Sequence, residues 1–140
     1  MNGRELVVGV TGGIAAYKTA ALVSRLVQAG AGVTVVMTEA ATRFVGPATL
    51  QGLGAESVFD NVFAQDRAME HISLGKWADV VVVAPATSNL INKLSAGIAD
   101  DAVTTLWQAA YGQGKPMFIV PAMNTRMWHY PATQESIGRL

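Results

Sequence analysis

Four short segments of the sequence combine small residues with hydroxyl or amide side chains. They are Thr-Gly-Gly (11–13), Met-Thr-Glu (37–39), Ala-Pro-Ala-Thr-Ser-Asn (84–89) and Pro-Ala-Met-Asn (121–124). Hydroxyls, amides and unshielded backbone N–H groups are donors that bind phosphates and carboxylates. These segments are therefore the first candidates for a ligand site.

Gly12 and Gly13 stand between a Val-rich run and a helical pattern. Without Cβ atoms, they let an anionic group such as a phosphate approach the free amides of the helix N-terminus. The alternative is a plain turn between a strand and a helix. The dinucleotide pattern G-x-G-x-x-G is absent, because Ala15 and Ala16 follow the glycines, which argues against a nicotinamide cofactor.

Thr38 and Glu39 allow three interpretations. Glu39 can hold a ribose hydroxyl, as an acid after the second strand does in dinucleotide-binding folds. Thr38 can instead donate its hydroxyl to a phosphate. The third interpretation is purely structural, with Thr38 capping a helix and Glu39 in its first turn.

The other two polar segments offer side chains beyond what helix capping requires. Thr87, Ser88 and Asn89 suit a heteroaromatic ring edge or ribityl-type hydroxyls, and capping accounts for one or two of them. Asn124 either caps the next helix or donates to a substrate carboxylate. Met127 is of a type found more often in a core or an interface than in chemistry.

His71 and His129 are the two histidines of the chain. A lone histidine is most often structural, but His71 can act as a general acid or base near neutral pH. His129 is the weaker candidate, because it follows Trp128 in an expected helix.

The composition excludes several classes of protein. The 140 residues carry 10 Lys+Arg and 10 Asp+Glu, so the basic footprint of a nucleic-acid binder is missing. No apolar run approaches the roughly 20 residues of a membrane span, and no signal peptide is apparent. With no Cys and two His, no metal site is expected. We expect a cytoplasmic protein that binds neither nucleic acid nor membrane.

Apolar periodicity predicts strands that alternate with helices. The expected strands cover 5–10, 32–37, 57–59, 78–85 and 115–121. The expected helices cover 14–29, 39–44, 47–53, 87–94, 100–110 and one helix from Asn124 onward.

This alternation predicts a single α/β domain over 1–140. We expect three layers and a Rossmann-like, doubly wound, mostly parallel sheet. Ligands of such sheets lie beyond the carboxyl ends of the strands, where all four polar segments fall.

Five motifs together resemble the homo-oligomeric flavin-containing Cys decarboxylase family. They are Thr-Gly-Gly-Ile-Ala-Ala-Tyr-Lys (11–18), Met-Thr-Glu-Ala-Ala (37–41), His-Ile-Ser-Leu (71–74), Ala-Pro-Ala-Thr-Ser-Asn (84–89) and Pro-Ala-Met-Asn-Thr-Arg-Met-Trp (121–128). They occur in family order over nearly the whole chain. The branch acting on phosphopantothenoylcysteine is the most similar.

The resemblance implies FMN as cofactor and assigns a role to each motif. His71 matches the catalytic histidine, and Asn124 matches the asparagine that holds the substrate carboxylate, with Met127 also on the substrate side. The implied FMN contacts are Gly12, Gly13, Ile14, Thr38, Thr87, Ser88, Asn89, Leu90 and Ala122.

The implied reaction is an oxidative decarboxylation. FMN accepts two electrons from the cysteinyl group, and the resulting thioaldehyde lets the carboxylate leave, because sulfur receives the electrons as an enethiolate. In the phosphopantothenoylcysteine branch, reduction then gives 4'-phosphopantetheine for coenzyme A biosynthesis. In the peptide-modifying branch, the enethiol itself is released.

Coenzyme A pathway members carry a C-terminal segment that clamps the substrate and contains a Cys needed for the reduction. The sequence has no Cys, so we expect this segment to be lacking here. The family forms trimers or dodecamers with flavin at subunit contacts, and the 51% hydrophobic content agrees with such contacts. The alternatives are a peptidyl-cysteine decarboxylase, a non-catalytic flavin-binding or regulatory protein, and a nicotinamide-dependent reductase using Glu39.

Overall fold

The computed structural model describes residues 1–60 and 70–140, with side chains given for 1–60 and 73–140. The strands are β1 (Glu5–Val10), β2 (Gly32–Met37), β3 (Ser57–Phe59), β4 (Val80–Ala86) and β5 (Met117–Pro121). The helices are α1 (Ala16–Gln28), α2 (Pro47–Gly52), α3 (Glu70–Trp77), α4 (Ser88–Ala96), α5 (Ala102–Ala110), α6 (Thr125–Trp128) and α7 (Pro131–Arg139), and a 3₁₀ turn covers Ala40–Arg43.

The five strands of the described residues form one sheet in the order β3-β2-β1-β4-β5. Every pairing between them is parallel, and β1 lies between β2 and β4. The chain order reverses between β1 and β4, which is where open α/β sheets bind ligands. The predicted parallel α/β fold is confirmed.

Alternate residues of the central strand face two separate hydrophobic cores. Leu6, Val8 and Val10 pack with residues of α1 and α2, such as Val23 and Leu50. Val7, on the other face, belongs to a core that includes residues of α4 and α5, such as Ile91, Val103 and Leu106. Because both faces are covered by helices, the strands read as continuous apolar runs, and the predicted three-layer arrangement follows.

The prediction of one helix from Asn124 onward is wrong. The chain forms α6, then an extended Tyr130 with φ −61° and ψ 128°, then α7 beginning at Pro131. Proline lacks an N–H and disfavours a helical conformation in the residue before it, so the helix must end and restart. Pro131 then occupies the first turn of α7, where its missing N–H costs nothing.

Two other helices differ from the expectation. Residues 70–77 were assigned no helix, yet they form α3. Gly75 reads as a helix breaker in the sequence, but a Cβ there would lie 3.1 Å from backbone atoms of Ala109 and Ala110. The glycine is therefore explained by the close packing of α3 against α5. The other difference is that α1 begins at Ala16 rather than Ile14, which leaves Ile14 in the preceding turn.

Within the ranges 1–60 and 70–140, no helix combines the length and apolar character needed to cross a membrane.

Candidate functional site

Two adjoining cavities lie at the carboxyl edge of the sheet, with volumes of about 470 and 690 Å³. We call the first the polar cavity; its lining is Thr11, Gly12, Thr38, Glu39, Ala40, Thr87, Ser88, Asn89, Leu90, Lys93, Asp101 and Met127. We call the second the apolar cavity; its lining is Gly12, Gly13, Ile14, Ala15, Phe44, Thr87, Ser88, Ala122, Met123, Asn124 and Met127. The shared residues Gly12, Thr87, Ser88 and Met127 join the two cavities.

The structure brings together almost all the residues singled out in the sequence. Lining one or both cavities are Gly12, Gly13, Ile14, Thr38, Thr87, Ser88, Asn89, Leu90, Ala122, Asn124 and Met127. Two candidates are exceptions: His129 lines neither cavity, and the side chain of His71 lies outside the described part of the chain.

The backbone of His71 nevertheless has a defined place in the fold. His71 is the second residue of α3, and α3 ends at Trp77, shortly before β4 begins at Val80. A helix that connects parallel strands returns from the carboxyl edge of the sheet to the amino edge. The first turn of α3, with His71, therefore lies toward the edge that carries the two cavities.

Gly12 lets the loop after β1 approach the segment after β2. A Cβ on Gly12 would lie 2.5 Å from the Cβ of Ala40, a separation that packed atoms do not tolerate. The absence of a side chain thus keeps two cavity walls together. The helix that follows, α1, has no side-chain cap among the described residues. The N–H groups of Ala16 and Lys18, in its first turn, donate to the carbonyls of Gly13 and Ala15, so these two amides are not free for an anion.

Two threonines of the site use their hydroxyl oxygens to cap the turn that follows them. Oγ1 of Thr38 accepts from the N–H of Ala41 at 3.1 Å, and Oγ1 of Thr87 accepts from the N–H of Leu90 at 3.2 Å. Each hydroxyl retains its proton as a donor. The capping and ligand-binding interpretations of these threonines are therefore compatible.

Asn124 follows the same pattern with an amide. Its Oδ1 accepts from the N–H of Met127 at 3.0 Å, as the N-cap of α6. This bond fixes the orientation of the amide and leaves Nδ2 with two donor hydrogens. Because Asn124 lines the apolar cavity, it combines a capping acceptor with a donor group at the site.

Apolar side chains at the mouth of the apolar cavity are unusually exposed. Ile14 is 82% exposed, Phe44 49% and Met127 44%. Ala122 lies in the wall of the cavity, and its N–H donates to the carbonyl of Ala86 at 3.1 Å, which joins the segment after β5 to the end of β4. Such a cavity suits a flat, largely apolar ring.

The polar cavity also contains charged residues that the sequence reasoning missed. Lys93 lies on α4 four residues after Asn89, a spacing that places both on one helix face and could have revealed it. Its Nζ lies 3.0 Å from each carboxylate oxygen of Asp100. Asp101, which was not predicted either, and Glu39, which was already a candidate from the sequence, supply negative charge. Phe44 of the apolar cavity was not predicted as a site residue, because the sequence indicates only the end of a short helix there.

The fold and the site together define a class of protein. It is an α/β domain with a parallel sheet, whose carboxyl edge carries a cavity lined by hydroxyl donors joined to a cavity lined by apolar side chains. The family model for Flavoprotein matches residues 1–140, and the chain belongs to this family.

The chain is similar to a bifunctional enzyme of coenzyme A biosynthesis. It is 47% identical over 142 residues to the Coenzyme A biosynthesis bifunctional protein CoaBC of Bacillus subtilis (strain 168). The match covers 100% of this chain but 34% of that protein, so the chain spans about a third of its curated relative.

Two solved structures share the fold over nearly the whole chain. The FMN-dependent cysteine decarboxylase TvaF from thioviridamide biosynthesis has a TM-score of 0.89 and 27% identity, covering 99% of this chain and 85% of its own. A PPC decarboxylase variant complexed with pantothenoylaminoethenethiol has a TM-score of 0.83 and 28% identity, covering 98% and 76%. The resemblance seen in the motifs is thereby confirmed at the level of the family.

Proposed function

We propose that this chain binds FMN and catalyses the oxidative decarboxylation of a cysteinyl substrate, phosphopantothenoylcysteine, in coenzyme A biosynthesis. The observation that carries the proposal is the junction of the two cavities at Gly12, Thr87, Ser88 and Met127. This junction joins donors for an anionic group to an apolar slot for a ring. The functions of the related proteins agree with this proposal.

The residues present fit FMN. The two cavities have volumes within the roughly 300–1,000 Å³ typical of ligand pockets. Thr38, Thr87, Ser88 and the loop at Gly12 would hold the phosphate and ribityl chain, with Asn89 and Leu90 beside them. Ile14, Gly13 and Ala122 would contact the ring system.

In the proposed reaction, the residues of this chain bind and orient the substrate and transfer a proton. When bound, FMN supplies a two-electron acceptor for the cysteinyl group. The Nδ2 group of Asn124 would hold the substrate carboxylate, next to Met127. His71, placed by α3 toward the same edge, would handle a proton at or near the substrate thiol. The apolar walls would keep water from the reacting atoms.

The identity values favour phosphopantothenoylcysteine over a peptide as substrate. The chain is 47% identical to the coenzyme A biosynthesis protein CoaBC and 26% identical to the peptidyl-cysteine decarboxylase EpiD. Because CoaBC is about three times as long as this chain, activity on the complete substrate is part of the proposal. Residues 1–140 would be the flavin-binding domain of that activity.

We also propose a cytoplasmic homo-oligomer, a trimer or a dodecamer, with FMN at subunit contacts. Ile14, Tyr17 and Phe44 are each at least 49% exposed, and two of them line the apolar cavity. Apolar side chains around a cofactor cavity are typical of a surface that another subunit covers. A second copy would thus shield the flavin ring from solvent.

An absorption spectrum and a carbon dioxide assay test the proposal together. The purified protein, supplied with FMN, is expected to show flavin bands and to release carbon dioxide from phosphopantothenoylcysteine faster than from a cysteine-ended peptide. His71→Asn should retain the flavin bands and lose carbon dioxide release. Protein that takes up no FMN would contradict the proposal, and flavin bands without decarboxylation would favour a non-catalytic flavoprotein.

A further inference from the structure

Three consecutive carbonyls at the end of β4 are bonded by three different elements. The pairing of β1 with β4 ends at Gly9 and Val83, and the pairing with β5 shifts register between Val83 and Ala86. The carbonyls of Ala84 and Pro85 thus leave the regular ladder, and buried carbonyls need other donors. Beyond them, the carbonyl of Ala86 accepts from the N–H of Ala122.

Two buried threonines supply the missing donors. Oγ1 of Thr19, on α1, donates to the carbonyl of Ala84 at 2.7 Å. Oγ1 of Thr11, at the end of β1, donates to the carbonyl of Pro85 at 2.5 Å. Each threonine is 2% exposed, so water does not replace these bonds.

Thr11 makes one more bond, which Thr19 does not share. Oγ1 of Thr11 accepts from the N–H of Thr87 at 3.1 Å. Because Thr11 donates its single hydroxyl proton to the carbonyl of Pro85, this hydroxyl cannot also donate to an anion. Although Thr11 lines the polar cavity, its hydroxyl is hydrogen-bonded to Pro85 and Thr87 of the protein itself.

The bond from Thr87 to Thr11 spans the two walls of the site. Thr11 directly precedes Gly12, and Thr87 is the N-cap of α4. Gly12 and Thr87 both line both cavities. A hydroxyl held between the two segments sets the distance between them.

We propose that Thr11 is a positioning residue that holds the Gly12 loop and the start of α4 at the spacing that flavin binding requires. This inference rests on the proposed FMN site. It concerns a buried hydroxyl that acts through Thr87 and Gly12.

Isosteric substitution separates this role from general stability. Thr11→Val and Thr19→Val each remove one hydroxyl and leave one buried carbonyl unpaired, so both variants should lose thermal stability, Thr11→Val the more because it breaks a second hydrogen bond. Only Thr11→Val also releases the N–H of Thr87. Its dissociation constant for FMN, measured by flavin fluorescence quenching, is expected to rise about tenfold more than that of Thr19→Val. Thr11→Ser keeps the hydroxyl and should restore binding.

Amide hydrogen exchange provides a readout on the flavin-free protein. The Thr87 amide should exchange about ten times faster in Thr11→Val than in the wild type, and at the wild-type rate in Thr19→Val. Thr11→Ala and Thr19→Ala serve for the same comparison if the valine variants do not fold.

Each outcome decides between distinct conclusions. Equal FMN affinity in the Thr11 and Thr19 variants, against a wild type that binds FMN, overturns the role of Thr11 alone. An unchanged exchange rate of the Thr87 amide in Thr11→Val does the same. A wild-type protein that takes up no FMN overturns the proposed function and this role with it, even where the exchange rates differ as expected.

Discussion

Asn124 and Met127 are joined by a hydrogen bond of 3.0 Å, in which the side-chain oxygen of Asn124 accepts from the backbone N–H of Met127. The bond begins α6 and at the same time commits the amide oxygen to the protein. The Nδ2 group of Asn124 remains available to donate to a ligand. One residue thus provides both a structural and a chemical function.

Asn124→Asp separates the two functions of this residue. Aspartate keeps an oxygen for the Met127 N–H and is an equally good N-cap. It loses the Nδ2 donor and brings a negative charge toward the substrate carboxylate. We expect carbon dioxide release to fall about 100-fold or more while FMN remains bound.

The control for Asn124→Asp is the absorption spectrum of the bound flavin, which should match that of the wild type. A variant that decarboxylates at the wild-type rate would contradict the assignment of the carboxylate to Asn124.

Gly12→Ala tests the close approach of two cavity walls. The new Cβ would lie 2.5 Å from the Cβ of Ala40, so the loop or the 3₁₀ turn must move. Such overpacking costs about 1–3 kcal/mol of unfolding free energy. We expect less FMN per protomer after purification and a lower melting temperature.

Gly52→Ala is the matched control, because a Cβ at Gly52, in α2, would meet nothing within 4 Å. It should retain both flavin content and stability. Equal flavin content in the Gly12 and Gly52 variants would show that the loop at Gly12 tolerates a side chain.

Lys93→Met tests whether the lysine at the polar cavity compensates the phosphate charge. Lys93 lines the polar cavity together with the acidic residues Asp101 and Glu39, so its removal leaves negative charge in the lining without a compensating lysine. We expect the affinity for FMN to fall about three- to tenfold, and the affinity for riboflavin, which lacks the phosphate, to stay unchanged.

Asp100→Asn is the control for Lys93, since it weakens the ion pair of 3.0 Å and leaves the lysine in place. It should bind FMN at least as tightly as the wild type. If Lys93→Met weakens FMN and riboflavin equally, the lysine does not act on the phosphate.

Lys115→Met tests how the C-terminus of α3 is fixed. The ammonium group of Lys115 donates to the carbonyl of Gly75, to that of Lys76 at 3.1 Å and to that of Ala78 at 2.6 Å. A cation at a helix C-terminus also interacts favourably with the helix dipole. We expect a loss of about 1–3 kcal/mol in the free energy of unfolding by urea.

The effect of Lys115→Met on catalysis follows from the place of His71 in α3. Carbon dioxide release should fall while FMN binding remains, because the cavities do not include Lys115. Lys76→Met, which removes an exposed charge from the same helix, is the control and should change neither property. Equal unfolding free energies for the two variants would rule out the capping role.

The sheet could be predicted almost completely because its strands are buried on both faces. In β1 and β2, runs of valine are bounded by glycine and threonine, and this local signal needs no tertiary information. The signal of α3 was weaker, because a glycine such as Gly75 suggests a helix break. Only the tertiary structure shows that Gly75 is needed where α3 packs against Ala109 and Ala110 of α5. At Tyr130 and Pro131 the signal was present in the sequence, and the error was to extend one helix through it.

The sequence alone was enough to predict most of the residues that belong to the site. The polar segments lie where the strands end, and the carboxyl ends of parallel strands lie at one edge of the sheet. Only the tertiary structure decided what each polar atom does. Thr11 bonds to Pro85 and Thr87, which are 74 and 76 positions away, and no local pattern encodes such pairs. A hydroxyl or amide offers the same donors and acceptors in any sequence, and its partners in the fold decide which of them remain for a ligand.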